Sequence, residues 1–145
     1  MNFLVSLLLL VARMAIAALF LSAGVNKLIN YNDTVQYMTA HGFTMVPFFL
    51  FGAAAIEVIG GLALIFGIKT RVTAFILILF LIPTTAIFHS FWTLSGGEAV
   101  LARLFFFHNL ALIGGLIYVL CYGAGKFACD RSCECKEKDT NKVCE

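Results

Sequence analysis

The sequence predicts an all-α integral membrane protein, a four-helix bundle, and three observations carry that expectation. Hydrophobic residues make up 61% of the 145 and charged residues only 12%, an apolar share well beyond that of an ordinary soluble domain. Four apolar stretches, at about 3–25, 46–67, 72–94 and 104–125, are each long enough for the roughly 20 residues a membrane span needs. Two of these runs carry opposite charges near their middles, Arg13 in the first and Glu57 in the second. An ion in hydrocarbon persists only with a partner or a polar cavity.

The first run resembles a signal peptide in position only. Its first twelve residues contain no Lys or Arg, its one ion sits within the run, and it is longer than a secretory apolar core, so it is expected to remain as a helix. In the loop that follows, Asp33 with Gln36 has the spacing of a capping box and Gly42 suits a helix stop, which predicts a short interfacial helix near 33–41. Pro47 falls where the second span starts, a position at which its missing donor is harmless. Pro83 lies within the third span, where a kink is expected and Thr84 and Thr85 are at hand for the freed carbonyl. The string Ile59-Gly60-Gly61-Leu62 recurs as Ile113-Gly114-Gly115-Leu116. Either two related hairpins or the general use of Gly pairs for close helix approach accounts for it. Trp92 is expected at one membrane interface, with Tyr118 and Tyr122 at the other.

Four spans put both termini on one side, together with the turn at Lys69 and Arg71. That side collects Lys69, Arg71, Lys126, Arg131, Lys136, Lys138 and Lys142, against Lys27 and Arg103 opposite. The positive-inside rule then makes both termini cytoplasmic. The chain divides into a membrane bundle, 1–126, and a tail, 127–145, which holds four of the five cysteines and lacks apolar periodicity; disorder is expected there. The lipid bilayer is the evident partner and nothing suggests nucleic acid. A bundle this slim cannot enclose a wide pore, which favours work at a helix interface, with a protein partner or as a homo-oligomer.

Counting residues from the span ends places Arg13 and Glu57 both near the midplane, so antiparallel neighbours would bring them level as an ion pair. Such a pair either fixes helix register or serves as a proton or redox relay or a polar anchor. A second group shares a depth nearer the outer surface: Ser22, Asn26 and Lys27 at the end of span one, His89 near the end of span three, and His108 with Asn109 in span four. Lys27 could snorkel and Asn109 could hydrogen-bond a helix. His89, flanked by Phe88, Phe91 and Trp92, needs a hydrogen-bond partner. Ser22, Asn26, Lys27, His89 and Asn109 thus outline a ligand pocket above Arg13 and Glu57. A quinone head group suits it, because quinone carbonyls need donors and quinone reduction needs protons. Glu57 and His89 are the candidates for proton transfer. No haem ligand pair, Walker loop, nucleophile elbow or zinc-protease motif is present.

Arg13, Phe20-Leu21-Ser22-Ala23-Gly24, Asn26-Lys27-Leu28, Tyr37-Met38, Gly42, Ile56-Glu57, Gly60-Gly61, Leu64, Gly67, Thr70-Arg71, Ala74, His89, Phe91, Asn109, Gly114-Gly115, Gly123, Gly125, Lys126 and Asp130 together resemble the DoxX family of small bacterial membrane proteins. The likeness spans residues 10–130. It implies a four-helix protein of the bacterial inner membrane, with Arg13, Glu57, His89 and Asn109 at positions typical of the family. It also implies a link to sulfur and thiol redox systems, including subunits associated with thiosulfate:quinone oxidoreductases. The tail departs from the family pattern.

Cys129, Cys133, Cys135 and Cys144 have the spacing C-x3-C-x-C-x8-C on the side expected to be reducing, which disfavours stable disulfides. Four thiolates suit a soft metal ion or thiol redox exchange, though the spacing is not that of a double C-x2-C site. The resulting expectation is a redox-associated membrane subunit that binds a quinone or similar lipid-soluble carrier and is coupled to a thiol or sulfur partner, rather than a complete oxidoreductase. A non-catalytic scaffold or assembly factor is the alternative, and small-molecule transport by an oligomer a weaker one.

Overall fold

Burial along the long helices recurs at intervals of three and four residues. In the computed structural model, which describes residues 3–125, the buried positions of the first helix, α1 (Phe3–Ile29), are Ser6, Arg13, Ala17, Phe20 and Gly24. Those of the second span are Val46, Leu50, Ala54, Glu57, Gly61 and Leu64. A repeat near 3.5 keeps one stripe of each helix facing its neighbours at a shallow crossing angle. The remaining faces are apolar and exposed, as lipid requires.

The element order is α1, a short α2 (Tyr31–Ala40), α3 (Val46–Phe66), α4 (Thr70–Phe88), a single 3-10 turn at Phe91–Thr93, and α5 (Gly96–Tyr122). Helices α1, α3, α4 and α5 are the four long apolar ones. The most extensive packing is α1 on α3 and α4 on α5; α3 and α4 join the two hairpins, and α1 meets α5 only lightly. The main core, Ala17, Phe20, Leu64, Ala74, Leu77, Ile78, Leu81, Leu116 and Val119, draws on all four spans. A smaller cluster of Met38, Val46 and Leu50 seats α2 against the start of α3. The end with α2 and the 3-10 turn is called here the loop end, and that with the α3–α4 turn the turn end.

Glycines set the closeness of α1 and α3. A Cβ on Gly24 would lie 2.8 Å from Val58 Cγ2 and 3.2 Å from the Ala54 carbonyl, and one on Gly61 would lie 2.9 Å from Leu21 Cγ and 3.2 Å from the Ala17 carbonyl. The two Gly-Gly strings differ in surroundings. Gly60 and Gly61 are both wedged against neighbours, whereas Gly114 faces open space and Gly115 meets Ile16 at 3.0 Å.

Several boundaries differ from expectation. Helix α5 begins eight residues before 104, because Ser95 is extended and Glu98 occupies the first turn, where a carboxylate complements the helix dipole; the polar start extends the helix beyond its apolar run. Helix α4 ends at Phe88, capped by the His89 N–H on Thr85 O at 3.1 Å. Asp33 is no cap: only Asn30 separates α1 from α2, Asn30 is the cap position, and Asp33 sits within the first turn. Pro47 lies in the first turn of α3 as expected. Thr84 and Thr85 donate to Phe80 O and Leu81 O at 2.7 Å each, so each bonds the carbonyl one turn back rather than the one Pro83 frees.

Gly24→Ala should lower the unfolding midpoint in detergent by an overpacking cost of about 1–3 kcal/mol. Gly52→Ala, with nothing within 4 Å of the added Cβ, should leave it level or raise it. Equal behaviour of the two variants would show that α1 and α3 are not in close contact at Gly24.

Candidate functional site

The buried stripe of α1 passes from Ala17 through Phe20 and Gly24 in steps of three and four, and the next step is Lys27. Helix α1 continues to Ile29, so Lys27 sits in its last turn. Across the seam, Gly24 opposes Ala54 and Glu57. Lys27 Nζ therefore reaches Glu57 and donates to both carboxylate oxygens at 2.8 Å. The Glu57 side chain is 5% exposed and that of Lys27 26%. The pair is bidentate and largely withdrawn from the surroundings, the geometry in which attraction offsets desolvation.

This corrects the expected Arg13–Glu57 ion pair. The glycine contacts set a register in which Glu57 is level with Gly24, eleven residues beyond Arg13, or about 16 Å along the axis at 1.5 Å per residue. Arg13 is instead level with the end of α3. Its Nη1 donates to Ala124 O at 2.8 Å and its Nη2 to Ile65 O at 3.3 Å, and the residue is 2% exposed. The Ile65 carbonyl is in the last turn of α3, where backbone oxygens lack intrahelical partners and a cation is favoured, and that of Ala124 lies just past the cap of α5. The two intramembrane ions thus serve opposite ends of the bundle.

The expected pocket residues divide in the same way. Ser22 is exposed and donates to Leu19 O, and Asn26 is exposed and accepts from the Asn30 amide; both are engaged along α1. Lys27 is turned inward rather than snorkelling. His89 and Asn109 are half-buried. The His89 ring lies against Phe105, centroids 5.4 Å apart, and Lys27 and His41 are within electrostatic reach of it. Phe105 and Asn109 are one turn apart on one face of α5. Asn109 also falls midway between the buried Ala102 and Leu116, seven residues from each, and so lies on the stripe that faces the bundle. Among the described residues none hydrogen-bonds to the His89 ring or the Asn109 amide. His108 is exposed.

Helix α2 caps this end. Tyr37 donates its hydroxyl to Phe88 O at 2.8 Å, and the rings of Tyr37, His41 and Phe43 surround that of Phe88 within 5.2–5.7 Å. His41 and Tyr37 had not been singled out as parts of the site. Their signal was present in the helix spacing of four and in the adjacency of Phe88 to His89, but the contact crosses 51 residues. The candidate metal or redox cysteines Cys129, Cys133, Cys135 and Cys144 lie outside the described residues. Cys121 is a free, exposed thiol, and the described residues contain no cluster of three or more His, Cys, Asp or Glu able to hold a metal.

The DoxX family profile matches residues 8–90, more than half of the chain and three of its four spans. The chain belongs to the DoxX family. A profile of the SURF4 family matches residues 54–137, overlapping it on α3 and α4. Two proteins of Escherichia coli (strain K12) are similar over nearly all of their length. Inner membrane protein YqjF is 38% identical over 123 residues, 84% of this chain and 88% of the relative. Inner membrane protein YphA is 29% identical over 124 residues, 86% and 89% respectively. No solved structure matches. Arg13, Lys27, Glu57 and His89 of this DoxX member lie within the matched segment, and Asn109 lies beyond it.

Lys27→Met should strand the Glu57 carboxylate and cost about 3–5 kcal/mol, while Lys27→Met with Glu57→Leu should recover most of the folded yield. Arg13→Met and Glu57→Leu should combine additively to within about 0.5 kcal/mol. Coupling between Arg13 and Glu57, and none between Lys27 and Glu57, would reverse the assignment.

Proposed function

We propose that this protein is a redox-associated subunit of the bacterial inner membrane that binds a quinone or similar lipid-soluble carrier at its loop end and works with a thiol or sulfur partner. The observation that carries the reading is the pair formed by the His89 ring and the Asn109 amide. Both lie half-buried on inward-facing surfaces, linked through Phe105, with hydrogen-bonding capacity that no described residue uses. A polar side chain within a span is expensive unless it finds a partner, and carrier carbonyls supply acceptors at that depth while Phe105 offers a face to the ring. The Lys27–Glu57 pair beside the site holds a transferable proton on its ammonium. The names of the relatives support the inner membrane, and the family resemblance supports the redox partner.

A second reading, a non-catalytic scaffold or assembly factor, is favoured by the internal satisfaction of the intramembrane ions, Glu57 by Lys27 and Arg13 by helix-end carbonyls. One comparison separates the two. His89→Phe keeps the ring bulk and its contact with Phe105 but removes the donor, so the variant should keep the wild-type unfolding midpoint while losing at least about tenfold in co-purified quinone, the scale of one charged or well-formed hydrogen bond in a dry site. Wild-type protein without any carrier, together with full partner assembly by His89→Phe, would install the scaffold reading.

The distribution of basic residues supports cytoplasmic termini. A membrane-impermeant thiol reagent applied to intact cells should leave the four tail cysteines unmodified until the membrane is opened. Rapid labelling of intact cells would invert the topology and place the His89 end in the cytoplasm.

A further inference from the structure

At the turn end, α1 and α5 leave a cleft of about 350 Å³ whose lining includes Leu9, Arg13, Ile16, Gly114, Tyr118 and Gly123. That volume is within the range of small-ligand pockets, roughly 300–1,000 Å³. It lies at the seam between α1 and α5, which meet only lightly, and its walls are apolar except at one end. Gly114 is open, with nothing within 4 Å of an added Cβ, so the absent side chain is itself part of the space. At the polar end the buried Arg13 is held by Ala124 O. Arg71, on a different helix, comes to the same place: its Nε would lie 3.4 Å from a Cβ on Gly123, and its Nη2 approaches Cys121 O at 3.5 Å. Arg71 is exposed and pairs with no acidic side chain among the described residues. Two guanidinium groups from α1 and α4 thus converge on the turn that closes a lipid-facing apolar slot.

We propose that this cleft binds one anionic phospholipid, its headgroup phosphate against Arg71, and an acyl chain along Leu9, Ile16 and the opening at Gly114. Guanidinium forks match phosphate oxygens in pairs, and Tyr118 at the mouth suits the headgroup boundary. The two parts of the cleft fit the two parts of such a lipid, and neither part alone would select it. This site is separate from His89 and Asn109 and does not depend on the carrier reading.

The full chain in detergent, titrated with phosphatidylglycerol or phosphatidylethanolamine and read by native mass spectrometry, should retain one phosphatidylglycerol with about fivefold preference, the scale of one basic side chain at a membrane surface. Arg71→Gln should abolish the preference. Gly114→Leu, which fills the slot without meeting protein atoms at its Cβ, should lose retention of both lipids while its circular dichroism and unfolding midpoint match wild type. Equal retention of the two lipids by wild type, or a preference that survives both substitutions, would overturn the proposal. Complete displacement by millimolar inorganic phosphate would also overturn it, by showing that the anion alone, without a chain in the slot, is the ligand.

Discussion

The bundle depends on the neutralisation of Glu57 inside hydrocarbon. A carboxylate 5% exposed within a span is tolerable only if a cation reaches it with good geometry, and Lys27 does so through two bonds of 2.8 Å. Once that pair is fixed, the α1–α3 register follows, since Gly24 must oppose Glu57 and Gly61 must oppose Ala17 and Leu21. The same register carries Arg13 to the end of α3, where it ties α3 and the segment after α5 together through their carbonyls. One constraint thus places both buried ions and closes the helices around a core shared by all four spans.

The separation of these ions divides the molecule chemically. The loop end holds titratable and aromatic groups, with Lys27, bonded to Glu57, within electrostatic reach of His89 and with α2 laid over Phe88 by Tyr37. The turn end holds guanidinium groups and helix-end carbonyls around an open seam. A lipid-soluble molecule with acceptor oxygens suits the first and a phosphate-bearing lipid the second. The two proposed sites lie at opposite ends of the bundle and can be tested independently.

Helix number and type were legible because span length and apolarity are set by the bilayer and need no tertiary information. The inward stripes were legible as well: Arg13 and Glu57 both lie on buried faces. Their height was not. Depth was counted from the ends of apolar runs, but α1 runs on through Lys27 to Ile29, and helix contacts, not run ends, set the stagger. The decisive signal was the glycine at 24, one turn before a lysine, which marks where α3 can approach closely enough for that lysine to turn inward. Without a partner helix to measure against, Lys27 reads either as a pocket residue or as a side chain that snorkels to the interface, and not as the partner of Glu57.

The start of α5 shows a related limit. Hydropathy detects the segment that crosses lipid, whereas a helix continues into the headgroup region for as long as its backbone bonds are made and its cap is favourable. Gly96, Gly97 and Glu98 therefore belong to the helix though not to its apolar run. This extension shifts the frame for judging depth, and it puts the half-buried Asn109 at the fourteenth position of α5 rather than near its start. On a stripe with Ala102 and Leu116, a bulky apolar residue would pack there at no polar cost. An amide in its place is a hydrogen-bonding group that no described residue uses, and on an inward stripe packing alone gives no reason for it.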